Sequence, residues 1–282
     1  MDCDNTLCMD MEKLYRFCQE ECNFINGRLI NNQSKRCITA LIVVHIFGNL
    51  ANMEALMNIA QKYNLTVIED ATEAIGSKYL SGSYTGRFAG TIGDIGVYSF
   101  NGNKIITTGG GGMAVSASEI MASRIKHLST QAKKDPVYYD HDEIGYNYRM
   151  TNIQAAIGLA QLEQLEIFIS KKKENYNLYK NLGLNLLPFK EDTRPNYWFY
   201  SYLTTKRDQL IAYLFENDVQ SRPIWRLINS LPCYRHCQSY KIEKAVNFWE
   251  HIVNIPCSSN LTAQQVRRVA ELILKCEVGT NG

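Results

Sequence analysis

Lys104 lies in the stretch SFNGNKIITTGGGG, between the end of a strand-like run, VYSF, and a cluster of glycines, Gly109 to Gly112, that leads into Met113, Ala114 and Val115. Glycine carries no Cβ, so it admits φ > 0 and lets a flat or bulky ligand come close to the backbone. An ammonium partly withdrawn from water beside apolar strand ends has its pKa lowered toward the range where lysine attacks a carbonyl. Two readings follow: a Schiff-base lysine in a binding crevice, or a solvated lysine next to a flexible turn. The motif alone does not choose between them.

A second chemical group closes the run LTVIED, which ends on Glu69 and Asp70. In open α/β sheets ligands bind outside the carboxyl ends of the strands, where these carboxylates would project. The plainer role for a strand-end aspartate is to cap the segment that follows, here ATEAIGS. If VIED and VYSF end at one crevice, Asp70 and Lys104 share a site.

The elements that must position these groups are legible as apolar patterns. MEKLYRFCQ is a short amphipathic helix with Leu14, Phe17 and Cys18 on one face and no cap before it. LIVVHIFG reads as a buried strand and turn, Asn49 as the cap of a helix bearing Met53, Leu56, Met57 and Ala60, and LTVIED as a second buried strand. Strand, helix and strand make a βαβ unit and imply a parallel sheet. IGVYSF is a third strand, followed by a helical pattern from Ser118 to about Gln131 and a polar, tyrosine-rich loop, KKDPVYYDHDEIGYNYRM. One long helix is expected from Thr151 to about Tyr179. Beyond it the spacing predicts a strand over YWFYSYLTT, a helix over Arg207 to Glu216, a loop SRPIWRLINSLP, and a last helix opened by Thr262 with Gln265 at capping-box spacing. The domain boundary is placed within the long helix, dividing residues 1–170 from residues 171–282.

Composition narrows the classes. The 282 residues are 45% apolar and carry a formal charge of +2, with cations scattered except for Lys171 to Lys173. That run reads as the solvated face of a helix, and nothing suggests nucleic-acid binding. No apolar run approaches a membrane span, and MDCDNTLCMDMEK is too acidic and polar for a signal peptide, so a cytoplasmic protein is expected. The nine cysteines are odd in number and irregular in spacing, which predicts reduced thiols. Cys18 with Cys22, and Cys233 with His236 and Cys237, lack the paired spacing of a zinc site, so no metal is assigned.

Four segments stand together in chain order: EDATEAIGS, GDIGVYSFNGNK, the GGGGM turn, and GYNYRMTNIQAAIGLAQLEQL. The combination resembles the DegT/DnrJ/StrS family of pyridoxal-phosphate-dependent sugar aminotransferases over nearly the whole chain. Within that family it is most similar to the branch that aminates nucleotide-linked 4-keto sugars for bacterial surface polysaccharides. The resemblance implies an α/β, aspartate-aminotransferase-like (type I) large domain with a mostly parallel sheet and a smaller α+β C-terminal domain.

By that resemblance Lys104 holds pyridoxal phosphate in a Schiff base and shuttles the proton in both halves of the transfer, with glutamate the usual amino donor. Asp70 matches the carboxylate on the pyridine nitrogen, and Ser99 a group on the cofactor phosphate. Asn147 matches an asparagine that reaches that phosphate from the neighbouring subunit, so a homodimer with shared sites is implied. Glu73 stands near the phenolic oxygen, where many relatives carry Gln or His and where a carboxylate repels a phenolate unless protonated. Asn196, Arg222 and Trp225 lie in segments that approach the sugar nucleotide in relatives. His45 and Gly48 resemble the strand-end turn near the cofactor and receive no role. Similar sugar dehydratases replace the lysine by histidine, and Lys104 argues against that activity.

The resemblance also implies a preceding segment in relatives, with a Gly-Thr or Ser-Gly-Thr turn for the phosphate and an aromatic residue on the ring. This chain opens with DCDNTLCMDMEKL and shows neither. Without the backbone cradle a phosphate is held less tightly. The competing expectation is a shortened, non-catalytic chain that pairs with a full-length relative as a structural or regulatory subunit.

Overall fold

Asp10 opens the first helix, α1 (Met11–Glu20), by accepting the Glu12 and Lys13 N–H groups. The cap that the sequence reading omitted is therefore present. The computed structural model describes residues 1–135 and 137–279, so Pro136 in the polar loop lies outside the described residues. After α1 comes a three-stranded antiparallel meander (Cys22–Ile25, Arg28–Asn31, Cys37–Ile38) that periodicity did not reveal.

The central sheet follows as expected. Strand β1 (Ala40–Val44), helix α2 (Met53–Tyr63) and strand β2 (Thr66–Asp70) form the βαβ unit, with Leu41 opposite Val67 and Val43 opposite Glu69 in parallel register. Asn52, not Asn49, caps α2 by accepting the Ala55 N–H. Asn49 is buried instead and accepts the Lys190 N–H. Strand β3 (Ile95–Ser99) pairs parallel with β2, and β4 (Gly112–Val115) closes the order β1-β2-β3-β4 antiparallel, with Ser99 opposite Gly112. The β3–β4 pairing folds the Lys104 stretch back as a loop at the carboxyl end of β3. One sheet face is buried through Leu41, Val43 and Val67, whereas Ile42 on the other is exposed.

Ser118 caps α3 (Glu119–Ser129), and a Thr151–Gln154 capping box starts α4 (Asn152–Leu162). The single long helix of the sequence reading breaks at Glu163 and Gln164, where Gln164 takes φ −101° and ψ 0°, before α5 (Leu165–Asn181). No residue of α3 or α4 is buried, although α4 is rich in apolar side chains. Lys172 of α5 corrects the solvated-run reading: it is buried and donates to the Cys257 carbonyl.

The remainder builds an antiparallel sheet from β5 (Tyr200–Leu203), β6 (Arg222–Pro223) and β7 (Ile252–Ile255), in the order β5-β7-β6. It is flanked by α6 (Arg207–Glu216), α7 (Lys244–His251) and α8 (Ala263–Val278). The strand expected over YWFYSYLTT is paired only from Tyr200 onward; Tyr197 takes φ 56°, outside the strand region. One apolar cluster joins α1, α2 and the buried face of β1 and β2, and a second joins α5, α8 and β7. Distant segments are stitched at Asp2, whose carboxylate accepts the N–H groups of Glu243, Lys244 and Ala245 at the start of α7 and pairs with Lys13 at 2.7 Å. Among the described residues no helix is long and apolar enough to cross a membrane.

Candidate active site

The pleat of β2 sends Glu69 and Asp70 to opposite faces, so the two adjacent carboxylates have different roles. Glu69 is fully buried. Its Oε2 accepts from Gly90 N–H at 2.8 Å and meets His45 Nε2 at 2.9 Å; its Oε1 accepts from Ile92 N–H at 2.6 Å and Gly93 N–H at 2.5 Å. His45 Nδ1 accepts the Ala51 N–H at 3.2 Å, which leaves the ring proton on Nε2 to be donated to Glu69. Burial works against the Glu69 charge, yet the His45 and backbone donors hold its carboxyl below the ordinary value. This pair ties the end of β1 to the 89–93 turn.

Asp70 projects from the other face. Its Oδ1 accepts the Thr72 N–H at 3.1 Å, the local capping that the sequence suggested, and among the described residues no hydrogen bond reaches Oδ2. Glu73 is buried in the turn that follows, where Oε2 accepts the Phe47 N–H at 2.8 Å. Desolvation raises the Glu73 carboxyl to about 7, against the opposing pull of the Phe47 N–H and the Lys104 charge. Phe47 makes that contact from φ 56°, a left-handed conformation rare for an aromatic residue.

Lys104 is half-buried, its Nζ 4.2 Å from the centre of the Trp198 ring. Burial lowers its pKa from the ordinary lysine value, while the carboxylates of Glu73 and Asp70 act in the other direction. The structure therefore brings Asp70, Glu73 and Lys104 into one electrostatic environment. Trp198 is fixed at three points: its Nε1–H donates to the Asn103 carbonyl, its N–H to Asn196 Oδ1, and its carbonyl accepts from the Cys257 thiol. Phe47, Phe199 and Trp225 pack around it, with the Phe47 ring 5.3 Å from both Phe199 and Trp225. Ser99 ends β3, where its Oγ accepts the Asn101 N–H at 3.3 Å.

Asn196 is completely buried, and its amide is occupied within the fold. Nδ2 donates to the Glu73 and Ile75 carbonyls, and Oδ1 accepts from Trp198. It clamps the Glu73 turn to the aromatic segment. Gly48 makes this clamp possible: at φ +94°, a Cβ there would lie 2.1 Å from Asn196 Oδ1. Arg222 and Trp225 line a cleft of about 700 Å³ whose wall also includes Asn103, the residue before Lys104. Asn147 is exposed on the polar loop, bridged to Thr130.

Sequence reasoning missed Phe47, Trp198 and the His45–Glu69 pair. For the last a signal existed, a histidine one residue past β1 beside a carboxylate on the neighbouring strand. For Trp198, about a hundred positions from Lys104, local pattern carried none.

The chain matches the sequence model of the DegT/DnrJ/EryC1/StrS aminotransferase family over residues 2–274. It is 40% identical over 251 residues to GDP-perosamine synthase of Escherichia coli O157:H7, covering 86% of this chain and 66% of that one. It is 35% identical over 256 residues to GDP-perosamine synthase of Vibrio cholerae, covering 87% of this chain and 67% of that one. The chain thus spans about two thirds of the length of the curated relatives it matches. A crystal structure of a DegT DnrJ EryC1 StrS aminotransferase from Brucella abortus superposes with a TM-score of 0.86 at 22% identity, over 97% of this chain and 72% of that one, which shows the shared fold. With its mixed, largely parallel sheet and its match along nearly the whole sequence, the chain belongs to the DegT/DnrJ/EryC1/StrS aminotransferase family.

Proposed function

We propose that this chain carries a pyridoxal-phosphate aminotransferase site that moves an amino group from an amino acid, glutamate, to a nucleotide-linked 4-keto-6-deoxy sugar in bacterial surface-polysaccharide synthesis. The observation that carries this reading is Lys104, a desolvated lysine over an indole, faced by Asp70 and Glu73. The residues fit the cofactor. Asp70 has an oxygen without a hydrogen bond for the pyridine nitrogen, Lys104 is the amine that would hold the carbonyl carbon, and Ser99 offers a hydroxyl proton to the phosphate. When bound, pyridoxal phosphate supplies an electron sink for negative charge at the substrate carbon.

The protein's own groups do the rest. Asp70 would keep the ring nitrogen protonated, and Lys104, whose pKa burial lowers, is the amine that would attack the carbonyl carbon and then carry a proton. Glu73, with a carboxyl raised to about 7, holds a proton part of the time at neutral pH and can donate to a phenolic oxygen rather than repel it. Asn196 serves by positioning the Glu73 turn, while Arg222 and Trp225 face the sugar nucleotide.

The same reading makes the protein a cytoplasmic homodimer in which Asn147 reaches the partner's cofactor phosphate. The exposure of Asn147 and of the apolar side chains on α4 supports it. It also divides the chain into a part of the cofactor domain, residues 1–170, and a small domain, residues 171–282.

The test is the visible absorption spectrum after adding pyridoxal phosphate. A band at roughly 400–430 nm in the wild type and absent from Lys104→Ala supports the reading, since that absorption belongs to the lysine-bound cofactor. No band in either protein overturns it for this chain.

A further inference from the structure

Lys172 is an amine in an interior place that the chemistry at Lys104 does not use. It is 5% exposed, and among the described residues it pairs with no carboxylate. Its Nζ donates to the Cys257 carbonyl and lies 5.4 Å from the centre of the Tyr200 ring. Burying a charged amine is costly, and a methionine would fill the same space without that cost. Packing alone therefore does not account for the lysine; what it holds does. Cys257 donates its thiol to the Trp198 carbonyl at 3.3 Å, and burial raises that thiol, so the donated proton is kept. Tyr200 closes the circuit by donating its hydroxyl to the Lys172 carbonyl at 2.6 Å.

The strand register shows where this circuit acts. Tyr200 of β5 stands opposite Ile255 of β7, and the ladder ends at that pair. Carried two residues further, the same register sets Trp198 opposite Cys257, where the chain leaves the sheet and the indole turns to Lys104. The thiol takes the place of a ladder bond there, and the Lys172 amine holds the cysteine that supplies it. Asn196 Oδ1 accepts the Trp198 N–H, so the indole is clamped through its own backbone on both sides. Asp70 and Glu73 are the charged groups that face Lys104, from the end of β2 and the turn after it. Among the described residues neither hydrogen-bonds to Lys172 or Cys257. We infer that Lys172 and Cys257 are positioning residues for Lys104: through Trp198 they fix the apolar wall that keeps water from its amine. The inference rests on the proposed function only in taking Lys104 as the reacting group.

The test is the pH dependence of Lys104 acylation by acetic anhydride, read by peptide mass spectrometry on the full chain without cofactor, with the exposed Lys180 as internal reference. Cys257→Ala removes the thiol donor, and Lys172→Met removes the amine at nearly constant volume. Each is expected to let water reach Lys104 and raise the pH midpoint of its acylation, so that the reactive fraction at neutral pH falls roughly threefold. Cys257→Ser keeps a donor to the Trp198 carbonyl and is expected to restore the wild-type midpoint. Because the two residues act in series on one indole, the double variant Cys257→Ala/Lys172→Met is expected to shift no further than the larger single shift. Additive shifts overturn the inference, as does an unchanged midpoint in Cys257→Ala or a serine that fails to restore it. A purely structural pair would lower thermal stability and leave Lys104 titrating as before. If Lys172→Met does not fold, the alanine and serine variants of Cys257 decide alone. No cofactor enters the measurement, so a shifted midpoint beside an absent cofactor band sinks the proposed function and leaves this inference standing.

Discussion

The ammonium of Lys104 lies 4.2 Å from the centre of the Trp198 ring, and the Trp198 Nε1–H donates to the carbonyl of Asn103, the residue just before the lysine. One indole therefore both holds the lysine loop and lies against its charged end. An aromatic face favours the charged form of an amine, by about 0.5–2 kcal/mol depending on desolvation. Replacing Trp198 by Leu keeps the site apolar and removes that contribution, so the Lys104 pKa is expected to fall further. The pH dependence of Lys104 acylation, read by mass spectrometry, measures it; an unchanged or raised pKa would show that the ring acts only as a wall.

Glu73 gives the stability of the protein a pH slope of known sign. Its carboxyl is raised from 4.5 to about 7 in the folded state, so between those values the folded chain holds a proton that the unfolded chain has lost. Stability from this group is present below about pH 4.5 and declines as pH rises through about 7. Glu73→Gln removes the slope. It is expected to matter little at acid pH and to stabilise on the order of 3 kcal/mol at alkaline pH, measured by urea denaturation across the range. Parallel stability curves for the two proteins would contradict the assignment.

Glu69 acts oppositely. Its lowered carboxyl contributes stability that is present above the ordinary glutamate value and lost as pH falls through the folded value. Glu69→Ala leaves the His45 Nε2–H and the Gly90, Ile92 and Gly93 N–H groups without their acceptor. A loss of about 3–5 kcal/mol is expected, as for a broken buried pair. Asp70→Ala, which frees only the Thr72 N–H, should cost far less stability while abolishing any absorption change on adding cofactor. Denaturation midpoints and spectra of the two variants, measured side by side, separate the structural carboxylate from the chemical one.

Gly48 and Gly86 form a matched pair for testing the Asn196 clamp. Both take positive φ, +94° and +82°, but a Cβ at Gly86 meets nothing within 4 Å, while one at Gly48 meets Asn196 Oδ1 at 2.1 Å. Gly86→Ala should cost about 1–2 kcal/mol from backbone strain alone. Gly48→Ala should cost clearly more and loosen the Glu73 turn. Equal shifts in thermal midpoint would show that Asn196 yields freely.

What the sequence disclosed was local. The β1–α2–β2 unit, the ends of VIED and VYSF and the capping box at Thr262 come from patterns of two to four residues, and all appear in the structure. Asp70 and Lys104 could be placed together because parallel strands share their carboxyl ends. What stayed hidden was set by packing across distance. The buried state of Lys172 depends on the carbonyl of Cys257, 85 positions away, and a charged run gives no sign of it. The break at Gln164 and the burial of Asn49 are likewise decided by neighbours rather than by propensity.

Asp2 and the helix it caps, which begins at Lys244, lie 242 positions apart along the chain. Until that segment is made, α7 does not exist to be capped, and the buried carboxylate is held locally, by Lys13 among others. Closing so long a loop carries an entropic cost that is recovered only when the last contacts form, which slows folding and lengthens the time that apolar surface stays open. Folding is therefore expected to be paced by the contact between Asp2 and the start of α7, and lower growth temperature or added chaperone should raise the soluble yield of the wild type more than that of Asp2→Ala, which lacks that contact.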